Sequence, residues 1–329
     1  MTSTVSADTR LRRGRLTPTV FLARYGFYAA LLILVLVFTA LSPNFLTVPN
    51  FINILQQTST IGIMAIGQTL VILAGGIDVS VGSVLGLGGM IAAMVMREPG
   101  ASPIVALVAG VLSGLAIGLL NGAIITRVGV GAFITTLATL NMARGLVYIL
   151  SNQYNVDVPD GSSFFFIGRG HVQLLPVLVL IFLLLFAVAY VVERRTVLGR
   201  AIHAIGGNPA AAELSGLNVR RVRMTTYAIS GACAALAGVI IVSQVGLAVP
   251  YLGSGEELDT IAAAVVGGVS LSGGAGSVLV GALGSVFIGV LLNGMALINV
   301  PAIWQMVIQG IVIISAVALY AAARGRGAE

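Results

Sequence analysis

The stretch ERRTVLGRAIHAIGGNPAAAELSGLNVRRVR, residues 193–223, holds six arginines and two glutamates in a chain that is otherwise strongly apolar. Long apolar runs stand on both sides of it. A basic, helix-forming segment enclosed between such runs reads as a loop of a membrane protein rather than the surface of a soluble globule. The composition agrees. Of 329 residues, 58% are apolar and 9% charged, against roughly 25% charged in soluble domains. The chain is read as an all-α polytopic membrane protein with one integral domain.

All 17 basic residues are arginine, and the net charge is +6. A G-x-x-x-x-G-K-[ST] phosphate loop needs a lysine that reaches the nucleotide, so this chain cannot build one. LSGG at 271–274 resembles an ATPase signature but continues LSGGAGS, which reads as a glycine turn. Arginines facing the cytoplasm account for the basic surplus without nucleic acid. Cys233 is the sole cysteine and lies in an apolar run, so no intrachain disulfide forms and a buried, inert thiol is expected. His171 and His203 fall on opposite sides of the expected membrane, and His203 reads as a surface or packing residue. No nucleophile–base set or carboxylate pair at catalytic spacing appears. No catalytic residue, metal or cofactor is therefore expected.

A helix needs about 20 mostly apolar residues to cross a bilayer. Breaks at proline, glycine, asparagine and charge clusters give ten segments, roughly 25–41, 51–73, 76–96, 103–126, 130–150, 174–192, 225–247, 258–270, 276–298 and 302–322. The eighth is short and reads as a half-helix or re-entrant piece. The first has no A-x-A-like site after it and reads as a retained span. With ten spans, 14 of the 17 arginines lie on one side, and only Arg97, Arg144 and Arg169 on the other. Positive charge stays inside. Both termini and the loop 193–224 are thus expected in the cytoplasm. The expected layout is a tail over 1–24, a membrane domain over 25–323 and a tail over 324–329.

The chain echoes itself. LLNG occurs at 119–122 and 291–294, GSVL at 82–85 and 276–279, and GG-x-x-x-S at 75–80 and 267–272. An offset of five spans inverts the second copy relative to the first, so two inverted repeats are expected, with a solute path at their interface.

GGIDVSVGS, residues 75–83, precedes the third segment. Asp78 or Ser80 can cap that helix, and a costly ionisable residue near the membrane is also a candidate gate element. The two roles are compatible. The second segment carries Gln56, Gln57, Thr58, Ser59, Thr60, Gln68 and Thr69, a heavy polar load for lipid. Asn121, Asn141, Arg144, Asn293, Gln305 and Gln309 add polar groups elsewhere. Amides and hydroxyls suit a neutral polyhydroxylated solute, or they bond helix to helix. The chosen path and gate residues are Gln56, Gln57, Thr60, Gln68, Thr69, Asp78, Ser80, Asn121 and Asn293. The outer loop 151–173, with Glu256, Glu257 and Asp259, offers an acidic rim to a partner or simply faces solvent.

Within the opening stretch, NPAAAELSGL is a punctuated helix. Asn208 caps it, Pro209 opens it, and Gly216 follows its end. Two turns are marginal alone, so the helix is expected to dock on a partner or to lie on anionic lipid. Together with GQTLVILAGGIDVSVGSVLG and ELDTIAAAVVGGVSLSGGAGS, the block GRAIHAIGGNPAAAELSGLNVRRV resembles the permeases of ribose-type ABC sugar importers, in the branched-chain amino acid/ribose permease superfamily. The resemblance covers about residues 25–322. It implies a type II importer-like fold in the bacterial inner membrane and a second permease copy. It further implies a cytoplasmic ABC ATPase, often tandem, and an outer sugar-binding protein. It also implies that Asn208–Gly216 is the helix seating in that ATPase, through Asn208, Pro209, Ala211, Ala212, Glu213 and Gly216. The superfamily's E-A-A-x-x-x-G is incomplete here, because its glutamate is missing. A transporter driven by an ion gradient is the alternative, and a non-transporting scaffold is a third.

Overall fold

The computed structural model describes residues 18–325, so the predicted tail residues 1–17 and 326–329 lie outside the described residues. The first half holds α1 (Pro18–Leu41), α2 (Val48–Leu73), α3 (Val81–Arg97), α4 (Pro103–Ala123), a π-turn over Ile124–Val128 and α5 (Ala132–Ser151). A connection follows with β1 (Val156–Asp157), α6 (Phe165–Arg169), β2 (His171–Val172) and β3 (Leu175–Pro176). The second half holds α7 (Val177–Arg195), α8 (Val197–Gly207), α9 (Pro209–Leu214), α10 (Val219–Val245), β4 (Leu247–Ala248), α11 (Glu256–Gly267), α12 (Val278–Leu297) and α13 (Ala302–Gly325).

Ten of these helices fall on the ten predicted segments. Five have the length and apolarity to cross a membrane unaided: α4 with its π-turn, α5, α7, α10 and α12. α2 has 26 residues, about 39 Å at 1.5 Å per residue, and its polar side chains lower its hydropathy. α11 has 12 residues and is the expected half-helix. Two boundaries differ from expectation. α1 begins at Pro18, inside the predicted tail, and α13 runs on to Gly325.

The packing shows an internal exchange. α10 seats against α3 and α4 as α2 seats against α11 and α12, and α2 and α10 meet each other. α3 pairs with α4 as α11 pairs with α12. α5 leans on α3 as α13 leans on α11. LLNG obeys this exchange, because it closes α4 and lies near the end of α12. The other two words do not. GSVL opens α3 in one copy and α12 in the other, and the second GG follows α11 rather than preceding it. The doubling therefore lives in the packing, and two of the three short words coincide without equivalence.

α10 sits close against its neighbours. A Cβ on Gly231 would meet the carbonyl of Gly114 on α4, and one on Gly238 would meet the carbonyl of Leu85 on α3. Small residues let membrane helices approach backbone to backbone. The connection 152–176 folds onto the far end of α10 rather than standing free in solvent. β1 pairs antiparallel with β4. The Ser243 hydroxyl donates to the Phe164 carbonyl at 2.6 Å and accepts from the Gly168 amide at 2.8 Å. Phe164 is fully buried. The in-membrane Arg144 of α5 donates to the carbonyls of Pro250 and Leu252, at 3.0 and 2.6 Å. A guanidinium half withdrawn from solvent needs such acceptors.

Candidate translocation path and coupling surface

The turn after α2 is held open by Gly75, at φ +79°, a conformation that side chains with a Cβ resist. It delivers Asp78 to a site only 1% exposed. One carboxylate oxygen of Asp78 accepts from the Ser80 amide at 3.0 Å and the Ser80 hydroxyl at 2.6 Å. The other accepts from the Ser230 hydroxyl of α10 at 2.9 Å. The Ser80 hydroxyl in turn accepts from the Asn121 amide of α4 at 3.0 Å. Asp78 thus closes its own turn and ties it to α10, while Ser80 stands at the N-cap of α3 without a side-chain cap bond. Beside them, the Thr136 hydroxyl accepts from the Val79 amide at 3.1 Å, and Tyr227 donates to the Ile77 carbonyl at 3.3 Å. Ser230, Tyr227 and Thr136 escaped the sequence reading. Lone hydroxyls in apolar helices were the available signal.

This node borders a cavity of about 220 Å³ lined by Gly75, Gly76, Gly129, Ala132, Arg223 and Tyr227 among others. The π-turn widens α4 at that mouth, and its capping Gly129 is left-handed. π-turns concentrate at functional sites.

The polar load of α2 divides. Thr58 and Thr69 press on α12, where a Cβ on Gly289 or Gly281 would meet their hydroxyls. Met64 accepts a 3.8 Å contact from Thr260 of α11. Gln68 is fully buried with neither amide atom bonded. The Oδ1 atoms of Asn121, Asn293 and Asp259 are likewise buried without a partner among the described residues. Gln56, Gln57 and Thr60 are half-buried, and the Thr60 hydroxyl bonds back to the Gln56 carbonyl at 3.3 Å. Unpaired buried polar atoms are costly. A hydroxylated guest between α2, α11 and α12 would relieve that cost.

The opening stretch resolves into three capped helices. Thr196 breaks α7 from α8 and accepts from the Gly199 amide at 3.3 Å. Asn208 accepts from the Ala211 amide at 3.0 Å. Asn218 caps α10 through the Arg221 amide at 2.9 Å. α9 therefore stands as expected, between Asn208 and the left-handed Gly216 (φ +83°). Pro209, Ala211, Glu213 and Gly216 are exposed. Ala212 is not: it packs under α9 with Ala201 and Ile205 of α8. It supports the helix from beneath. The sequence reading also missed Leu214 of α9, which is 92% exposed.

His203 is not a bystander. One ring nitrogen, Nε2, lies 3.1 Å from Glu193 Oε1, and the other lies 3.1 Å from the Gly274 carbonyl. LSGG forms the glycine turn expected of it, with Gly273 and Gly274 at φ +84° and +71°.

A family model described as branched-chain amino acid transport system / permease component matches residues 50–317. The chain is 42% identical over 291 residues to the ribose import permease protein RbsC of Escherichia coli K12, covering 88% of this chain and 90% of that one. It is 39% identical to the ribose import permease protein of Bacillus subtilis, over 90% and 92% of the two chains. It is 38% identical to the D-allose transport system permease protein AlsC of Escherichia coli K12, over 91% and 92%. No solved structure matches the chain.

Proposed function

This chain belongs to the branched-chain amino acid transport system / permease component family, and on that premise we propose that it is the membrane permease of a sugar importer driven by a separate ABC ATPase. Its cargo is a monosaccharide or a related small polyol. The observation that carries this reading is the full-length likeness to ribose and allose permeases. The protein supplies no covalent chemistry. It binds, shields and releases.

The arginine-rich end faces the cytoplasm, as charge asymmetry favours. There α9 seats in the ATPase, with Leu214 as its apolar anchor and the Asn208 cap holding its shape. An outer sugar-binding protein delivers the solute, and a second permease copy completes the path. The unpaired amides and carboxylate of Gln68, Asn293 and Asp259 are matched to sugar hydroxyls, which both donate and accept. Asp78, Ser80 and Asn121 form a closed node at the inner mouth. Rearrangement of that node, driven from α9, opens the cavity beside it.

The test is uptake in liposomes holding the permease and its ATPase, with the binding protein outside. Labelled ribose and allose should accumulate only with ATP inside. Uptake that persists without ATP but collapses with an uncoupler would point instead to a gradient-driven carrier.

A further inference from the structure

Where α7, α8, α12 and α2 converge, one acid and one imidazole make the side-chain cross-links. Glu193, in the last turn of α7, is 3% exposed. Its Oε1 accepts from His203 of α8 at 3.1 Å. Its Oε2 accepts from the amide of Val278, the first residue of α12, at 2.8 Å. The other nitrogen of His203 donates to the Gly274 carbonyl, and the Gly274 amide donates to the carbonyl of Leu73, the last residue of α2, at 3.0 Å. Two short chains of bonds thus run from α8 to the base of α12 and the base of α2.

We propose that Glu193 and His203 are positioning residues that transmit movement of the α9 platform into α2 and α12. The proposal rests on the transport reading above. Its geometry does not need it. α8 and α9 pack as one unit through Ala201, Ile205 and Ala212, so a push on α9 moves His203. α2 and α12 pack on each other through Thr58 and Thr69, and they carry the unpaired side chains of Gln68 and Asn293. His203 is the only side chain among the described residues that bonds α8 to both the α7 carboxylate and the 270–277 turn.

Both ring nitrogens face acceptors, a carboxylate and a carbonyl. Both contacts are hydrogen bonds only when the ring carries two hydrogens, as the imidazolium. The Glu193 bond, first, and the Gly274 carbonyl hold the His203 pKa above its ordinary value, against partial burial and the Arg194 charge. The charged groups that act on the ring are Glu193 and Arg194, both of α7. The 268–277 turn and the first turn of α12 bring none. Transmission should therefore weaken as pH rises through the raised pKa of His203.

The experiment compares wild type, Glu193→Gln, His203→Phe and His203→Arg in the liposome system, reading sugar uptake and ATP hydrolysis together. Glu193→Gln and His203→Phe should lower sugar moved per ATP at least fivefold, roughly a 1 kcal/mol loss of coupling, with hydrolysis and folded yield retained. Wild type should lose coupling as pH rises through the raised pKa of His203, whereas His203→Arg, charged throughout, should hold a flat profile. Parallel loss of hydrolysis and folded yield, or one pH profile shared by wild type and His203→Arg, overturns the proposal. Hydrogen exchange on the isolated permease separates the two readings. His203→Phe should speed exchange in the first turn of α12 and at residues 270–274, and unchanged exchange there dismantles the joint whatever the transport assay shows. Wild type that is inert to ATP, with the exchange result intact, sinks the transport reading and leaves the joint standing.

Discussion

Removing the Ser230 hydroxyl tests the node around Asp78. That hydroxyl is the donor to one carboxylate oxygen of a side chain 1% exposed. A hydrogen bond to a charged group contributes about 1.5–3 kcal/mol, and a buried acceptor left bare forfeits it. Ser230→Ala should therefore cost about 2 kcal/mol. Asp78→Ala removes three bonds and strands the Ser80 amide and two hydroxyls, for about 3–5 kcal/mol, the range for breaking a buried charged contact. The double variant should cost less than the sum by about 1–2 kcal/mol, because the two groups share one bond. Cys233 supplies the assay: it is the sole cysteine and is buried, so a fluorogenic maleimide reacts only as the bundle opens on heating. At about 2–4 °C per kcal/mol, Ser230→Ala should lower the midpoint by about 4–8 °C. Strict additivity in the double variant, or an unmoved midpoint for Ser230→Ala, would refute the node as described.

Leu214→Asp should leave that midpoint within about 1 °C, since the side chain is 92% exposed, yet weaken ATPase binding by about 30-fold or more, as loss of an anchoring residue does. Pull-down of the ATPase by tagged permease measures it. Gly284→Ala drives a methyl into the Ala263 carbonyl, whereas one on Gly145 meets nothing. The first should cost about 1–3 kcal/mol through overpacking, and the second should gain about 0.5–1 kcal/mol within α5, both read by thermal melting. A cysteine at exposed Ala211 should resist an impermeant thiol reagent applied to intact cells, with buried Cys233 silent, and labelling from outside would invert the topology. Because folding raises the His203 pKa, its stabilisation is complete below the unfolded value of about 6.5 and is lost as pH climbs through the folded value. The melting point should fall with alkalinity in wild type more than in His203→Arg.

The membrane helices were legible because a bilayer demands long apolar runs, and α9 because Asn208, Pro209 and Gly216 punctuate it. Asp78, Ser80 and Asn121 were each visible as polar residues. Their union was not, since 41 residues separate Ser80 from Asn121 and only the fold brings them together. Thr58 and Thr69 stood out as misplaced in lipid, yet the glycines that receive them lie on α12. The pairing of Glu193 with His203 was hidden by a helix break. Residues 193–207 look continuous until Thr196, at ψ 164°, turns the chain and folds α8 back toward the acid. A threonine able to cap three residues ahead was the one clue on the page.

The seating of α10 has an evolutionary consequence. Where a carbonyl fills the space of a missing side chain, no mutation adds an atom without prising helices apart. Gly231 and Gly238 of α10 are thereby held at glycine, and so are Gly267 and Gly284 where α11 meets α12. Adaptation to a new cargo must be written between these pinned seams, on the side chains of α2, α11 and α12 that hold idle amides and a carboxylate oxygen. The seams are a keel and those side chains a palette, and descendants of this chain should diverge faster at the second than at the first.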